Sequence, residues 1–451
     1  MKKLLLSFSL IAFTSTINAQ WTSQETGFAA QYRGLSQIKI IDANTVWALA
    51  YDGSGAAANV QEFTKTTNGG TTWTAGTIDV FDPTLAINNI SPVSDMIAWA
   101  SAINNTTGDP NNGVGTIVKT IDGGTNWIQQ LATGYQTAGS SFLNGVYFFD
   151  ANVGIAYGDP ESSEFEIYRT TDGGANWTRV PAAALPNPLS NEYGYNSTPL
   201  AVGSTLWFPT NKGRLYRTTD MGLTWSVFQA PLSDFGAALP ANSGTLSFST
   251  TSTGCLLKTS GTVAVPVYTF YTTTNGGQTW SAGSAFTGTR RLLSYIPGTT
   301  TIVATSAAAP LGTSISVDNG TSWTDLEPGG TTQRGVGAYL STSIGWCAGY
   351  SDGDPLGTMG IYKLSGSLGN QSFATTKFSV YPNPATSNVT ISTTGVDAYQ
   401  LAVTDLLGKV IMTKSLSGIE NTVDISGLTA GVYLFTLSSE NKTQTVKILK
   451  N

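Results

Sequence analysis

In the stretch RTTDGGANW, residues 169–177, a carboxylate follows a threonine hydroxyl and precedes two glycines and a tryptophan. Those residue types suit three chemistries: an oxygen ligand for calcium, a glycine-rich cradle for phosphate, or a tight turn. Repetition decides among them. The octets TTNGGTTW (66–73), TIDGGTNW (120–127), TTDGGANW (170–177), TTDMGLTW (218–225), TTNGGQTW (273–280) and SVDNGTSW (316–323) share the template [ST]-x-[DN]-x-G-x-x-W. Each copy offers at most one carboxylate, and Asn68 and Asn275 replace it in two of them. A calcium cage needs about six to eight oxygens, so neither a metal nor a cofactor is expected. The octet reads instead as a hairpin turn. Asp122, Asp172, Asp220 and Asp318, with Asn68 and Asn275, accept hydrogen bonds from nearby backbone N–H groups while the glycines take positive φ. Trp73, Trp127, Trp177, Trp225, Trp280 and Trp323 then fall on the return strand, where they can wedge between neighbouring units.

Other residues could carry a function. Arg33 in QYRGLSQI, Arg291 in TRRLLSYI and Arg334 in TQRGVGAY occupy matching points of the repeat, each just before a first strand. Three guanidiniums at one channel mouth would grip a carboxylate or phosphate; alternatively each tethers its own loop through backbone carbonyls. Asp159, Glu161 and Glu164 in YGDPESSEF, Asp352 and Asp354 in YSDGDPLG, and Tyr193 and Tyr195 in NEYGYNS belong to loops of the same face. Asp159 and Asp354 could act as a glycosidase pair if about 5 to 10 Å apart. Acidic loops are, however, more often solvated surface. The chain has no histidine, which removes Ser-His-Asp and Cys-His catalysis and the commonest zinc ligand. Catalytic residues are therefore not assigned. Cys255 and Cys347 read as small buried apolar residues, although an exported chain would permit a disulfide.

The elements that must hold these residues follow from spacing. Successive box tryptophans lie 54, 50, 48, 55 and 43 residues apart, which fits one four-stranded propeller blade per copy. With 50 glycines and only 11% charged residues, the composition points the same way, to an all-β chain rich in turns. About twenty residues before most boxes comes a short apolar run that reads as a buried second strand: 46–50, 98–102, 154–158, 206–208, 254–257 and 302–304. A seventh run, 345–349, is followed by a third strand at 360–364 but by no box. Its missing outer strand is supplied by residues 20–24, so that the N-terminal strand closes a seven-bladed ring and removes the exposed edges. A net charge of −6 offers no basic face for nucleic acid.

These octets resemble the Asp-box, or bacterial neuraminidase repeat, of sialidases, sortilin-type receptors and propellers related to a photosystem II assembly factor. The resemblance covers six blades and implies that the box is an architectural turn on the face away from the ligand. The Arg-Ile-Pro motif that opens sialidase domains is absent.

Residues 1–19 have the basic start, apolar stretch and small-residue end of a signal peptide. No segment approaches the roughly 20 apolar residues of a transmembrane helix. Residues 20–365 form the expected propeller and 366–376 a Ser/Gly-rich linker. Residues 377–451 alternate as a small Ig-like β-sandwich carrying Tyr381-Pro382-Asn383-Pro384, DLLGK with Gly408, LTAGVYLF with Gly431 and Tyr433, and a basic end with Lys447 and Lys450. They resemble the type A C-terminal sorting domain of the Bacteroidetes type IX secretion system. That resemblance implies handling by the secretion machinery, then release or surface attachment after removal of the signal peptide and the sorting domain. The expected role is a non-catalytic module binding a glycan or protein, and the alternative is a glycoside hydrolase.

Overall fold

The computed structural model describes residues 21–451 apart from 57–58, 107–108, 110, 131–133, 136–141, 197–198, 240–241, 350–359, 369–377, 394–397, 407 and 440–441. The chain divides into two units, 1–369 and 370–451. The signal segment and Asp352 and Asp354 lie outside the described residues.

Among the described residues the first unit comprises seven four-stranded antiparallel sheets. Blade one shows the pattern: Arg33–Ile40, Val46–Asp52, Glu62–Thr66 and Thr74–Thr77, paired in sequence order. Blades two to six repeat it, and only blade seven departs from sequence order. There Gly337–Tyr339, Gly345–Ala348 and Ile361–Leu364 take Trp21–Gln24 as the outer strand, with Trp21 opposite Leu364 and Gln24 opposite Ile361. The second strands are buried throughout because a blade is covered on both faces by its neighbours. Trp47, Trp99, Trp207 and Trp346 are fully buried there. Cys255 and Cys347 are buried, unbonded thiols on the same strands.

The boxes sit in the turn between third and fourth strands. In blade three, Thr170 Oγ1 donates to Asp172 Oδ1 (2.8 Å) and accepts from Gly174 N (3.0 Å), while Asp172 Oδ1 accepts from Asn176 N (2.9 Å). The same three bonds recur in the other five boxes. Both residues after the Asp or Asn have positive φ, including Met221 (56°) and Asn319 (63°), where the copies depart from glycine. The second of the pair is glycine in every copy, for a steric reason as well. A Cβ at Gly124 or Gly320 would come within 2.3 Å of the ring of Phe63 or Phe270 in the preceding blade.

The second unit is a β-sandwich of a three-stranded and a four-stranded sheet around Val389, Ile391, Leu401, Val403, Phe435, Leu437 and Ile448. Asn383 fastens its last strand: Nδ2 donates to Lys447 O (2.9 Å) and Oδ1 accepts from Leu449 N (2.9 Å). The YPNP segment therefore covers the edge of that strand, with both its X-Pro bonds cis. Gly408 takes φ 85° in the Asp405–Lys409 turn, and the Tyr433 hydroxyl donates to Thr429 O.

Closure rests on Gln24, whose Oε1 accepts from Trp73 Nε1 (3.1 Å) and Trp346 Nε1 (3.2 Å) while Nε2 donates to Gly70 O (2.5 Å). Gln24→Ala leaves two indole N–H groups unpaired and is expected to lower unfolding stability by about 2–4 kcal/mol in chemical denaturation. A second expectation concerns acid. Backbone and side-chain donation from Asn126 holds Asp122 at a pKa of about 2, and Asn176 does the same for Asp172, against the ordinary 3.8. Depressed values contribute stability above the unfolded pKa and lose it as pH falls towards 2. The double variant Asp122→Asn/Asp172→Asn should melt below the wild type at pH 6, and the two melting curves should converge between pH 4 and 2.

Candidate functional site

The blade topology assigns every loop to one of two faces. Box turns and first-to-second-strand turns share one face, where each box donates a backbone N–H to its own blade's turn, as Gly173 does to Asn152 O (2.8 Å). Second-to-third-strand loops and the links between blades share the other.

On the box face a set of cations joins the blades. Lys65 Nζ donates to Asp95 O and Gly123 O (both 2.8 Å), and Lys119 Nζ to Gly173 O (2.9 Å). Arg169 reaches Met221 O (2.8 Å), Arg217 reaches Asn275 O (3.2 Å) and Lys363 reaches Gly69 O (2.6 Å). In each case the acceptor is a carbonyl of the next blade. Four of these cations also stand over the fully buried tryptophan paired with them on the second strand, at 4.6 Å for Lys65 over Trp47. Burial pulls the pKa values of Lys65, Lys119 and Arg217 downward. The sequence carried a signal for them, since a Lys or Arg stands directly before the hydroxyl residue of the first four boxes. It went unread. The N–H groups of Trp127, Trp177, Trp225, Trp280 and Trp323 find no acceptor, so those box indoles contribute apolar contact.

On the loop face the arginines are engaged locally. Arg33 is ion-paired with Glu62 and lies 3.8 Å from Asp52. Arg334, 4% exposed, pairs with Glu327 (2.5 Å) and stands over the rings of Tyr362 (4.7 Å) and Trp21 (5.5 Å). Arg291 stacks on Tyr268 at 4.2 Å, while its neighbour Arg290 is the deeply buried one, paired with Asp325 (2.7 Å). Arg291 is the residue expected from sequence and Arg290 the one that is buried, because adjacent arginines give no sign of which one turns inward. Each guanidinium is tied to neighbouring acids or rings, and no contact joins Arg33, Arg291 and Arg334 to one another.

Asp159 stands apart from these pairs. Its Oδ1 accepts from Asn144 Nδ2 (2.7 Å) and Gly194 N (2.9 Å). Burial nevertheless outweighs those bonds and raises its pKa to about 6. The loop that delivers Gly194 also presents Tyr193, 43% exposed and edge-on to Tyr195. Three other acids of these loops are committed: Glu161 to Arg179 (2.9 Å), Glu192 to Arg214 (2.5 Å) and Asp234 to the Tyr195 hydroxyl, whereas Glu164 is half-buried at the start of its strand. Among the described residues no cluster of three potential metal ligands occurs.

Residues 379–451 match the family described as Secretion system C-terminal sorting domain. The chain joins a β-propeller to a type IX secretion sorting tail. The tail implies export by that system. Solved structures resemble most of the chain. "YCF48 bound to D1 peptide" shares 14% identity over 76% of this chain and 96% of its own, with a TM-score of 0.51. YCF48 from Cyanidioschyzon merolae shares 15% over 77% and 99%, with the same score. A GH74 xyloglucanase from Xanthomonas campestris shares 11% over 83% and 59%, with a TM-score of 0.45. No curated protein matches the chain. Likeness at these identities establishes the propeller fold alone. No described helix is long and apolar enough to cross a membrane.

Because its folded pKa is raised, Asp159 adds stability only while protonated, and that contribution fades as pH rises from about 4 through 6. Asp159→Asn keeps an oxygen acceptor without the charge. It should melt higher than the wild type at pH 7.5 and lose that advantage at pH 4, as read by differential scanning fluorimetry.

Proposed function

We propose that residues 20–365 form an exported, non-catalytic binding module that takes a glycan or polypeptide on the loop face of blades three and four. The observation that carries this reading is that Asp159 holds the Gly194 N–H of the loop that exposes Tyr193, beside Glu161 and Glu192, whose charges are met by Arg179 and Arg214. An exposed tyrosine ring supplies flat contact area at low entropic cost, and a half-buried carboxylate supplies a directed acceptor for a hydroxyl or amide. Glycoside hydrolysis usually requires two carboxyl groups acting as acid and base or nucleophile. Glu161, Glu192 and Asp234 already hold partners, and no contact joins Asp159 to a second carboxyl group among the described residues. Arg33 and Arg334 are held by nearby acids and Arg291 by a ring, whereas the carbonyl-tethering role expected of them falls to Arg290, which donates to Leu311 O and Glu327 O.

A hydrolase remains the second reading on one ground: a carboxyl near pKa 6 is suited to general-acid work. One experiment separates the two. The purified full chain is offered immobilised glycans and peptides together with chromogenic glycosides. Retention without turnover, weakened about tenfold or more by Tyr193→Ala, supports the module. Glycoside turnover abolished by Asp159→Asn would replace it with the hydrolase.

A further inference from the structure

A channel of about 940 Å³ runs along the ring axis, walled by the inner strands of all seven blades. Because the blades repeat, each wall position can be compared with its six equivalents by its pairing to the second strand. At one level these equivalents are Lys39 opposite Trp47 and Tyr147 opposite Ile155, in blades one and three. The remaining five are Ser91, Leu200, Ser247, Ser294 and Ala338. Five blades thus place a small or apolar side chain there, and blade one places an ammonium.

That ammonium has nothing to hold. No described oxygen accepts a hydrogen bond from Lys39 Nζ, which stands over the Tyr147 ring at 5.7 Å. Asp150, the acid on the channel wall, spends Oδ1 on Asn152 N and Val153 N (both 2.7 Å). The other titratable groups on the wall are Tyr147, Tyr295 and Tyr339, all neutral at pH 7. By contrast, Lys65, Lys119 and Lys363 are each capped by carbonyls. The Lys39 side chain is reachable from the channel, yet the surrounding wall desolvates it enough to bring its pKa to about 8. A half-buried charge with no ion-pair partner is costly, and a bound anion offsets that cost. Single positive charge selects a monoanion, and the half-buried Ile41, Val93, Leu246 and Leu293 with the 41% exposed Val336 give the otherwise serine-containing wall apolar surface for the body of such a ligand.

We propose that the central channel is a binding site for a small monocarboxylate with an apolar body, its carboxylate held by the ammonium of Lys39. This site is separate from the loop-face site, so either can fail without the other.

Octanoate serves as the probe, titrated calorimetrically into the full chain at pH 7, with 1-octanol and inorganic phosphate as controls. Octanoate should bind, Lys39→Met should weaken it about tenfold or more, and Lys39→Arg should retain it. Affinity in the wild type should fall as pH rises through and beyond 8, as the amine loses its proton. Lys39→Met should also melt higher than the wild type at pH 7, because the depressed amine pKa means the charged form opposes folding there. No octanoate binding, equal binding by Lys39→Met, or wild-type affinity unchanged from pH 7 to 10 would each overturn the proposal. Phosphate binding as tight as octanoate would overturn the apolar monocarboxylate assignment, as would 1-octanol binding as tight as octanoate.

Discussion

The ring depends on a donor from one blade reaching a carbonyl of the next. Apolar faces press neighbouring blades together, but burial is non-directional and would tolerate sliding or rotation. The bonds from Lys65, Lys119, Arg169, Arg217 and Lys363 to box or turn carbonyls remove that freedom at five joints. Buried indoles reinforce three of them, as Trp99 Nε1 does on Gly173 O (3.1 Å). The box is therefore a receiving surface as well as a turn. Its internal bonds fix where its carbonyls point, and its invariant glycine lets the neighbouring ring lie against it.

Two joints lack this device. Blade five has Thr272 and blade six Ile315 where the others have a cation. There the inner strands take over: Ser247 Oγ accepts from Tyr295 N (2.8 Å), and Ser294 Oγ donates to Gly337 O (2.9 Å). Blade two uses both systems, since Asn89 and Ser91 also bond the inner strand of blade three. Polar groups facing the channel are thus mostly structural, which is why an uncommitted ammonium among them stands out.

The fold was legible because its determinants are local and repeated. Six boxes, seven apolar second strands and an orphan strand at each end of the propeller specify blades and closure from short-range pattern alone, and Trp21 opposite Leu364 is where that pattern requires it. The sorting tail was legible for the same reason: YPNP, DLLGK and the basic end each shape one turn or edge. Candidate site residues were less so. Arg290 and Arg291 are chemically identical neighbours just ahead of the Leu292–Tyr295 strand, and their roles are set by which of them turns inward. Asp159 could be named as a loop acid, but its pKa is raised by burial that sequence does not encode locally, against the opposing bonds from Asn144 and Gly194, 15 and 35 residues away. Lys39 went unnoticed because alternation along one strand says nothing of what the other six blades place at the same level.

The closing strand has a consequence in time. Trp21–Gln24 is paired with a strand some 340 positions later, so the first strand of the propeller waits for its last. Until then blade seven has an unpaired edge, and the indoles of Trp73 and Trp346 lack the Gln24 oxygen they share. Partial chains, from whichever end they begin, are open arcs. For a protein that must leave the cell, that delays completion until both ends are on the same side of every barrier they cross.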